Sequence, residues 1–312
     1  MERPILSARG AAGYLEALDN VLLLTHVRPD GDTIGSAAAL CRALRDCGQT
    51  AYLLPNPEIT ATYAPYAAPY WAPEGWQAEH IVSVDIADAS LLPENAQSYR
   101  DRIELAIDHH PSQTFFARNT CLEADSAACG EIVYEIIQHL TALTADIALP
   151  LYVAVSTDCG GFQYGNTTAR THRIAAALMD VVDVAAVNKT LFRTKSRVRL
   201  AMESRMVADM KLFDHQRVVV MEIPLSLRQE MQATDADIEE LSALPALVEG
   251  TDCGVTLREL RPGTVKVSVR TGPRVDACAL CRILGGGGHH AASGATVEGT
   301  LDEARMAGLG AA

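Results

Sequence analysis

The sequence predicts an α/β protein with an N-terminal domain on a mainly parallel sheet, a linker helix and a smaller α+β C-terminal domain. In the first half, short apolar runs alternate with segments of helical periodicity, which is typical of a parallel sheet covered by helices. After about residue 184 the alternation stops and a long helical segment precedes further strands. The length of 312 residues is sufficient for two domains. The predicted boundaries are 1–190, 191–213 and 214–312.

Four apolar runs in the first half predict buried strands, at 21–26, 50–55, 80–88 and 102–110. Three segments carry apolar residues at helical spacing and predict helices, at 34–48, 129–143 and 167–182. Asp125 or Ser126 is available to cap the second of these helices. Residues 149–162 are mostly apolar, and their pattern fits a helix or a strand.

The second half begins with a predicted helix over 196–212, followed by a strand over 217–224. Residues 253–271 alternate apolar and polar side chains around a Pro-Gly turn, which predicts a hairpin. A helix over 276–284 then leads into the glycine-rich segment 285–294, "GGGGHHAASG".

Composition excludes several classes of protein. The 26 Lys and Arg against 39 Asp and Glu give a net charge of -13, which argues against sequence-independent binding of long DNA or RNA. No apolar run reaches the length of a membrane span, and the N-terminus lacks the layout of a signal peptide. We therefore expect a cytoplasmic protein that binds neither long DNA nor a membrane. Cys278 and Cys281 form a single CxxC without the second pair of a zinc site, so we assign the cysteines to packing.

Acidic and imidazole side chains collect where the apolar segments of the first half end. A single aspartate in such a position is usually a cap or a turn residue, but four segments that converge on one edge of a sheet need another explanation. So many carboxylates would repel one another, and a pair of divalent cations would neutralise them. The residues concerned are His26, Asp30, Asp32, Asp85, Asp108, His109, His110 and Asp158.

The ligand types favour particular metals and a particular reaction. Many oxygen donors with a few imidazoles and no thiolate favour Mn²⁺ first and Mg²⁺ next, with Fe²⁺ and Co²⁺ as further candidates. Paired metals roughly 3.5–4 Å apart typically serve phosphoryl hydrolysis, in which one generates hydroxide and both stabilise the oxygens of an in-line displacement. The residues thus predict a two-metal phosphoester hydrolase.

Five motifs in order resemble the DHH phosphoesterase superfamily with its C-terminal DHHA1 domain. The resemblance covers essentially the whole chain, and the two-domain length is most similar to the NrnA-like group of bacterial oligoribonucleases and 3′-phosphoadenosine 5′-phosphate phosphatases. The motifs are "THVRPDGDTIGS" (25–36), "VSVDIAD" (82–88), "AIDHH" (106–110), "STDCGGF" (156–162) and "GGGGHHAASG" (285–294).

The resemblance implies a role for each residue of the cluster. One metal would be held by His26, Asp30 and Asp85. The other metal would be held by Asp32, Asp85, His109 and Asp158, with Asp85 bridging. Catalytic roles would fall to Asp85, to His110 as hydrogen-bond donor or general acid, and to Asp108, which would orient the two histidines. A water or hydroxide between the metals would be the nucleophile.

The resemblance also implies that the C-terminal domain binds the part of the substrate away from the scissile bond. Between residues 255 and 290, six Lys and Arg outnumber two acidic residues, and a glycine run allows backbone amides to approach a phosphate closely. The implied substrate-binding residues are Arg270, Gly286, Gly287, Gly288 and His289. The other arginines we assign to the solvated surface.

The resulting prediction is hydrolysis of very short RNA (nanoRNA) to 5′-mononucleotides, of 3′-phosphoadenosine 5′-phosphate to AMP, or of both, with short oligoribonucleotides and nucleotide bisphosphates as partners. An alternative is a phosphodiesterase for cyclic di-AMP or its linear product pApA, which the sequence does not separate. A manganese pyrophosphatase would end in a different C-terminal domain, and a RecJ-type exonuclease would need additional domains. A regulator without catalysis is disfavoured because every ligand position is filled. The family suggests a homodimer, with closure between the domains as a further hypothesis.

Overall fold

The computed structural model describes residues 4–288 and 290–311. The chain divides after Thr194 into two compact units, which we call the first unit and the second unit. The helix expected to link the domains over 191–213 is shorter than predicted, at Arg197–Ala208. Its Met202 and Met206 are fully buried in a core of the second unit, so this helix is part of that unit.

The first unit contains a five-stranded sheet in the order β2-β1-β3-β4-β5, and each neighbouring pair is parallel. The predicted parallel α/β class is confirmed, and the four predicted strands are present in shortened form. The fifth strand was not predicted, because its mixed sequence "NTCL" has neither a long apolar run nor a clear alternation. The strands are β1 Val21–Leu24, β2 Ala51–Leu53, β3 His80–Val84, β4 Ile103–Asp108 and β5 Asn119–Leu122.

The α-helices of this unit cover one face of the sheet, and the 3₁₀ segments that follow β3 cover the other face. Successive strand residues alternate between the two cores: Leu23 packs with the helices, whereas Leu22 and Leu24 pack with the 3₁₀ side. The α-helices are α1 Ala8–Glu16, α2 Gly31–Asp46, α3 Ala64–Ala67, α4 Cys129–Leu140, α5 Ala145–Asp158, α6 Ala169–Met179 and α7 Ala185–Asn188. The 3₁₀ segments are Ala68–Tyr70, Ala89–Leu91 and Glu94–Arg102, and a π-helical turn spans Lys189–Arg193.

In this unit one open assignment is resolved and one prediction needs correction. The ambiguous segment 149–162 forms helix α5 up to Asp158, so this aspartate is delivered by the end of a helix and not by a strand. Neither Asp125 nor Ser126 caps α4, whose N-cap is Ala128 and has no side-chain cap. The first amides of α4 donate instead to the carboxylate of Asp32, which satisfies them from a distant part of the chain.

Helices α2 and α5 pack with their backbones in close contact. A Cβ atom on Gly35 would lie 2.2 Å from the carbonyl oxygen of Pro150 and 2.8 Å from the amide nitrogen of Ala154. A Cβ on Gly31 would lie 2.3 Å from Oγ1 of Thr157. Glycine is required at both positions, and the resulting approach brings the start of α2 next to the end of α5.

The second unit contains a six-stranded sheet in the order β10-β11-β9-β8-β7-β6, in which only the β7–β8 pair is parallel among the described pairs. The predicted hairpin is confirmed as the antiparallel pair β8–β9. The strands are β6 Lys211–Phe213, β7 Val218–Ile223, β8 Cys253–Arg261, β9 Thr264–Thr271, β10 Gly287–Gly288 and β11 Ala292–Glu298. The helices are α8 Arg197–Ala208, α9 Leu225–Glu230, α10 Asp235–Ile238, α11 Ala277–Ile283 and α12 Leu301–Ala311, with a 3₁₀ segment at Glu239–Leu247.

The two faces of this second sheet differ in polarity. One face carries Val255, Leu257, Val265 and Val267, which are buried in an apolar core that also includes residues of α11 and α12. The other face is apolar along β7, where α8 packs, and polar along β8 and β9. Within the described ranges, no helix has both the length and the apolarity needed to cross a membrane.

Candidate active site

The first unit brings the predicted His and Asp residues together at the carboxyl end of its parallel strands. Asp30 is the N-cap of α2, and its Oδ1 accepts hydrogen bonds from the amides of Asp32 and Thr33 at 3.0 and 3.2 Å. Its capping role is therefore real. However, the same oxygen also lies 3.7 Å from Nε2 of His26, so a cap function does not account for the whole arrangement.

Two imidazoles of the cluster are oriented in the same way. Nδ1 of His26 lies 2.8 Å from the carbonyl oxygen of Val27, and Nδ1 of His109 lies 3.1 Å from that of Ser126. Since a carbonyl only accepts, each Nδ1 carries a hydrogen, which leaves Nε2 as the nitrogen available to a cation. These Nε2 atoms lie 3.7 and 3.5 Å from oxygens of Asp85. This arrangement is typical of histidines that ligate a metal through Nε2.

Asp85 lies at the centre of the cluster. It follows β3 directly, adopts a left-handed backbone conformation with φ of +61°, and is only 3% exposed. Its Oδ1 is buried without a hydrogen-bond partner among the described residues. Burial first, and then the charge of Asp30, raises the pKa of Asp85. A buried oxygen without a partner is unfavourable, and a bound cation would satisfy it.

Asp32 is also buried, but its oxygens have partners. Oδ1 accepts hydrogen bonds from Oγ of Ser36 and the amide of Gly130, both at 2.9 Å, and Oδ2 accepts one from the amide of Cys129 at 2.6 Å. These donors fix the orientation of the carboxylate. Burial, followed by repulsion from neighbouring aspartates, still raises the pKa of Asp32 well above its ordinary value.

Asp158 completes the cluster from the last residue of α5. Its Oδ2 lies 3.8 Å from Nε2 of His109. Burial is the largest of the effects that raise the pKa of Asp158 to about 6. A carboxylate at the C-terminal, negative end of a helix is unfavourable as well, so a bound cation would stabilise this position.

The pKa of His26 is shifted in the opposite sense. Burial disfavours a proton on His26, yet the carboxylates of Asp30 and Asp85 raise the pKa of His26 to about 10.

The ligand atoms fall into two groups that match the donor sets of divalent cations. Within each group the atoms lie within 4.8 Å of one another. A nitrogen of one imidazole and several carboxylate oxygens are available to each, which fits Mn²⁺ or Mg²⁺. The unpaired Oδ1 of Asp85 lies 3.5 Å from Nε2 of His109, which belongs to the second of the two groups. The groups are His26, Asp30 and Asp85, and Asp32, His109 and Asp158.

His110 differs from the other two histidines, because its Nδ1 lies 2.8 Å from Oδ1 of Asp108. Although His110 forms a third group with Asp85 and His109, this bond to a buried carboxylate occupies the nitrogen that faces them. The hydrogen bond to Asp108 is the largest cause that raises the pKa of His110 to about 9. The side chain of His110 is 34% exposed, and its Nε2 is not the atom bound to Asp108.

Asp108 is held by a residue that the sequence did not reveal. Its Oδ1 accepts the amides of His109 and His110 at 2.9 and 3.3 Å, and its Oδ2 accepts Nε2 of Gln113 at 2.6 Å. The same Gln113 nitrogen donates to the carbonyl of Ile86 at 2.9 Å. Gln113 follows the histidine pair in an irregular loop, and no spacing or periodicity distinguishes it from a solvated residue.

The second unit contains a polar cavity of about 330 Å³ over strands β8, β9 and β11. The strand register places Arg258 opposite Lys266 and Thr256 opposite Ser268, so all four side chains share one face. Arg270 lies two positions further along this face and also lines the cavity. Nε of Arg258 is buried without a hydrogen-bond partner in the described part of the chain. Arg258 therefore lines a cavity, which corrects its assignment to the solvated surface.

The glycines of segment 285–294 have separate explanations. A Cβ on Gly286 would lie 2.2 Å from the carbonyl oxygen of Gly294, and Gly288 has a φ of +147°. Both are required by the local backbone. Gly287 has open space at its Cβ position and lines the cavity, so the local backbone does not require glycine here in the way it does at Gly286 and Gly288. The predicted residue His289 lies outside the described residues.

Comparison with known proteins gives a family and several relatives. The profile described as DHH family, N-terminal domain, matches residues 20–155. A protein of Thermus thermophilus named bifunctional oligoribonuclease and PAP phosphatase NrnA is 32% identical over 303 residues, covering 95% of this chain and 90% of that protein. The Bacillus subtilis protein of the same name is 24% identical, with 92% and 91% covered.

Solved structures show the same fold. An exopolyphosphatase-related protein from Bacteroides fragilis has a TM-score of 0.88 at 21% identity, covering 97% of this chain and 94% of that one. Exonuclease RecJ bound to manganese has a TM-score of 0.52 at 13% identity, covering 98% and 94%. At these identities the likeness concerns the fold.

Proposed function

The chain belongs to the DHH family, and from this premise we propose that it is a two-metal phosphoesterase acting on very short RNA and on 3′-phosphoadenosine 5′-phosphate. The observation that carries this proposal is the pair of ligand groups, with the buried and unpaired Oδ1 of Asp85 3.5 Å from Nε2 of His109. The names of the relatives support both substrates.

The two substrates share the bond that is broken. In an oligonucleotide such as pApA and in the bisphosphate, a phosphorus atom is attached to O3′ of a nucleotide that also carries a 5′-phosphate. Water adds to this phosphorus, the bond to O3′ breaks, and O3′ takes up a proton. The products are 5′-mononucleotides in the first case and AMP with inorganic phosphate in the second case.

The proposed metal ligands are His26, Asp30 and Asp85 for one cation and Asp32, Asp85, His109 and Asp158 for the other, with Mn²⁺ as the preferred ion. Two bound cations would supply a hydroxide at neutral pH and neutralise charge on the phosphoryl oxygens. The raised pKa values of Asp32 and Asp158 follow from burial and mutual repulsion, and bound cations would remove this repulsion.

His110 is the proposed proton donor. Its Nδ1–H is bound to the buried carboxylate of Asp108, and this hydrogen bond is the largest cause that raises the pKa of His110, so it favours the protonated form. The remaining Nε2–H is therefore available to a phosphoryl oxygen or to the departing O3′. Gln113 and the backbone amides of the histidine pair fix Asp108, so the imidazole is oriented before substrate binds.

The second unit is proposed to bind the part of the substrate away from the scissile bond. Its cavity of about 330 Å³ holds Arg258, Lys266 and Arg270 with the backbone at Gly287, which is a suitable lining for a phosphate or a nucleotide. We propose this division of labour for the predicted domains 1–190 and 214–312, with helix α8 belonging to the second. We further propose a cytoplasmic location. We also propose a homodimer, and light scattering of the purified protein tests this oligomeric state.

The test is Mn²⁺-dependent turnover on a matched panel: pApA, a five-nucleotide RNA, 3′-phosphoadenosine 5′-phosphate, cyclic di-AMP and pyrophosphate. We expect turnover of the linear RNAs and the bisphosphate, and its loss in Asp85→Ala. Asp88→Ala is the matched control, because Asp88 accepts the amide of Ser90 at the turn Ala89–Leu91 and is a member of neither ligand group. Intact pApA and bisphosphate would contradict the proposal, and a preference for cyclic di-AMP or pyrophosphate would contradict the proposed substrates.

A further inference from the structure

One stretch of backbone, segment 126–131, contacts two of the three ligands in the second group directly. The carbonyl oxygen of Ser126 accepts a hydrogen bond from Nδ1 of His109 at 3.1 Å. The first two amides of α4 donate to the carboxylate of Asp32 at 2.6 and 2.9 Å. The tautomer of one ligand and the orientation of another therefore depend on where this segment lies.

Asn166 connects the third ligand to the same segment. Its Nδ2 donates to the carbonyl oxygen of Ala127 at 2.9 Å and to the carbonyl oxygen of Asp158 at 3.1 Å. Asn166 thereby connects the last residue of α5 to segment 126–131 by hydrogen bonds. All three ligands, although far apart in the sequence, are therefore hydrogen-bonded to the same stretch of backbone, His109 and Asp32 directly and Asp158 through Asn166.

Arg170 on α6 holds segment 126–131 from the other side. Its guanidinium donates to Oγ of Ser126 at 3.0 Å and to Oε2 of Glu123 at 2.9 Å. It also lies 2.6 Å from Oε1 of Glu135. Arg170 thus provides one positive charge to several glutamates around the segment.

The positive charge of Arg170 lies next to Glu131, a buried carboxylate within segment 126–131. Its side chain is 1% exposed, and its Oε2 accepts the amide of Ala127 at 3.3 Å, within the segment itself. Oε1 has no hydrogen-bond partner among the described residues, and the guanidinium of Arg170 lies 3.8 Å from Oε2. Without Arg170, a buried carboxylate would lose a neighbouring positive charge, and the segment would rearrange to reach water.

We propose that Arg170 and Asn166 are positioning residues that set the affinity of the second ligand group for its cation. They act through segment 126–131, on His109 and Asp32 in the case of Arg170 and on Asp158 in the case of Asn166. The inference rests on the metal site of the proposed function. Residues that orient metal ligands typically change metal affinity by about 10–100-fold when removed.

The experiment is a calorimetric Mn²⁺ titration of the full-length protein, with electron paramagnetic resonance of the bound ions. The variants are Arg170→Ala, Arg170→Lys and Asn166→Ala, and the matched control is Arg173→Ala, an exposed arginine on the same helix. We expect two Mn²⁺ per chain in the wild type and the control. In Arg170→Ala and Asn166→Ala, one site keeps its affinity and the other weakens by about 10–100-fold. The signal of magnetically coupled Mn²⁺ pairs weakens in parallel, and Arg170→Lys restores part of it.

The outcomes separate this inference from the proposed function. Two Mn²⁺ with wild-type affinities in both alanine variants would overturn the inference and leave the metal site intact. Equal weakening of both sites would also overturn it, because the effect would then be general. A wild type without paired Mn²⁺ would contradict the metal site itself. If Arg170→Ala does not fold, Asn166→Ala decides, because Asn166 makes its contacts without a buried charge.

Discussion

Nδ1 of His110 lies 2.8 Å from Oδ1 of Asp108, a carboxylate that is completely buried and also accepts both backbone amides of the histidine pair. In this pair the carboxylate accepts the Nδ1 hydrogen of the imidazole, which keeps the proton on Nδ1 and fixes the orientation of the ring. Asp108 is not a member of either ligand group of the metal site. Orientation of the proton donor and binding of the cations are therefore separable by mutation.

The first prediction is that Asp108→Asn lowers kcat by about 10–100-fold without loss of Mn²⁺ binding. The amide nitrogen of the variant would face Nε2 of Gln113, now 2.6 Å from Oδ2, so that two donors oppose each other or the amide turns away from His110. Turnover of pApA and a parallel Mn²⁺ titration measure the two effects. An equal loss of metal affinity would show that Asp108 acts through the ligands.

The second prediction concerns stability without metal. In the presence of a chelator, Asp85→Asn should unfold at the same temperature as the wild type or a higher one, because the variant removes a buried charge whose Oδ1 has no hydrogen-bond partner. With Mn²⁺ at 100 times its Kd, the wild type should gain about 2.7 kcal/mol. The variant should gain much less. Thermal unfolding with and without Mn²⁺ provides the measurement, and an equal gain in both proteins contradicts the prediction.

The third prediction is that Gly35→Val destabilises the first unit by about 1–3 kcal/mol or more, since a side chain at this position meets the backbone of α5. Displacement of α5 also moves Asp158, so Mn²⁺ affinity should fall together with stability. Gly13→Ala is the control: it lies within α1, has open space at its Cβ position, and should be neutral or stabilising by up to about 1 kcal/mol. Denaturant unfolding of both variants distinguishes crowding from a general intolerance of glycine replacement.

The fourth prediction separates the glycines of the second unit. Gly287→Ala should fold normally but raise KM, because its Cβ would enter the cavity and keep the phosphate from the backbone. Gly286→Ala should lower the unfolding temperature, because its Cβ would collide with the carbonyl of Gly294. Steady-state kinetics and thermal unfolding of the two variants give the comparison. An unchanged KM in Gly287→Ala would exclude ligand contact at this glycine.

The fifth prediction is a pH dependence in the second unit, which contributes none of the proposed metal ligands. Arg217 most strongly, and Arg274 in addition, lower the pKa of Asp252. A carboxyl whose pKa is lower in the folded state stabilises the fold above its unfolded-state pKa of about 4, and this stabilisation is lost as the pH falls towards the folded-state value. Asp252→Asn should therefore lower the unfolding temperature at pH 7, and its difference from the wild type should shrink below about pH 4.

The control for this pH dependence is Asp209→Asn. Asp209 pairs with Arg205 at 2.8 Å, but both side chains are more than half exposed. An exposed pair of this kind contributes little, so the control should change the unfolding temperature only slightly at any pH. A difference for Asp252→Asn that stays constant across this pH range would contradict the assignment.

The sequence by itself determined the α/β class, four strands of the first sheet and the hairpin of the second. These features depend on the local spacing of apolar residues, which can be read from a short stretch of sequence. It also identified the aspartates and histidines of the site, since polar side chains at the ends of apolar segments are conspicuous, and parallel strands bring such ends to one edge. The choice between helix and strand for 149–162 was left to the tertiary structure, because a mostly apolar segment shows little periodicity.

The tertiary structure alone decided which groups hold the ligands in place. The carbonyl of Ser126 and the first amides of α4 are backbone atoms, which every residue possesses and which therefore leave no mark in a sequence. Gln113, Asn166 and Arg170 are ordinary polar residues until the fold places them beside a carboxylate or a carbonyl. Their partners lie up to 47 positions away in the chain, as with Arg170 and Glu123, so only folding brings them together.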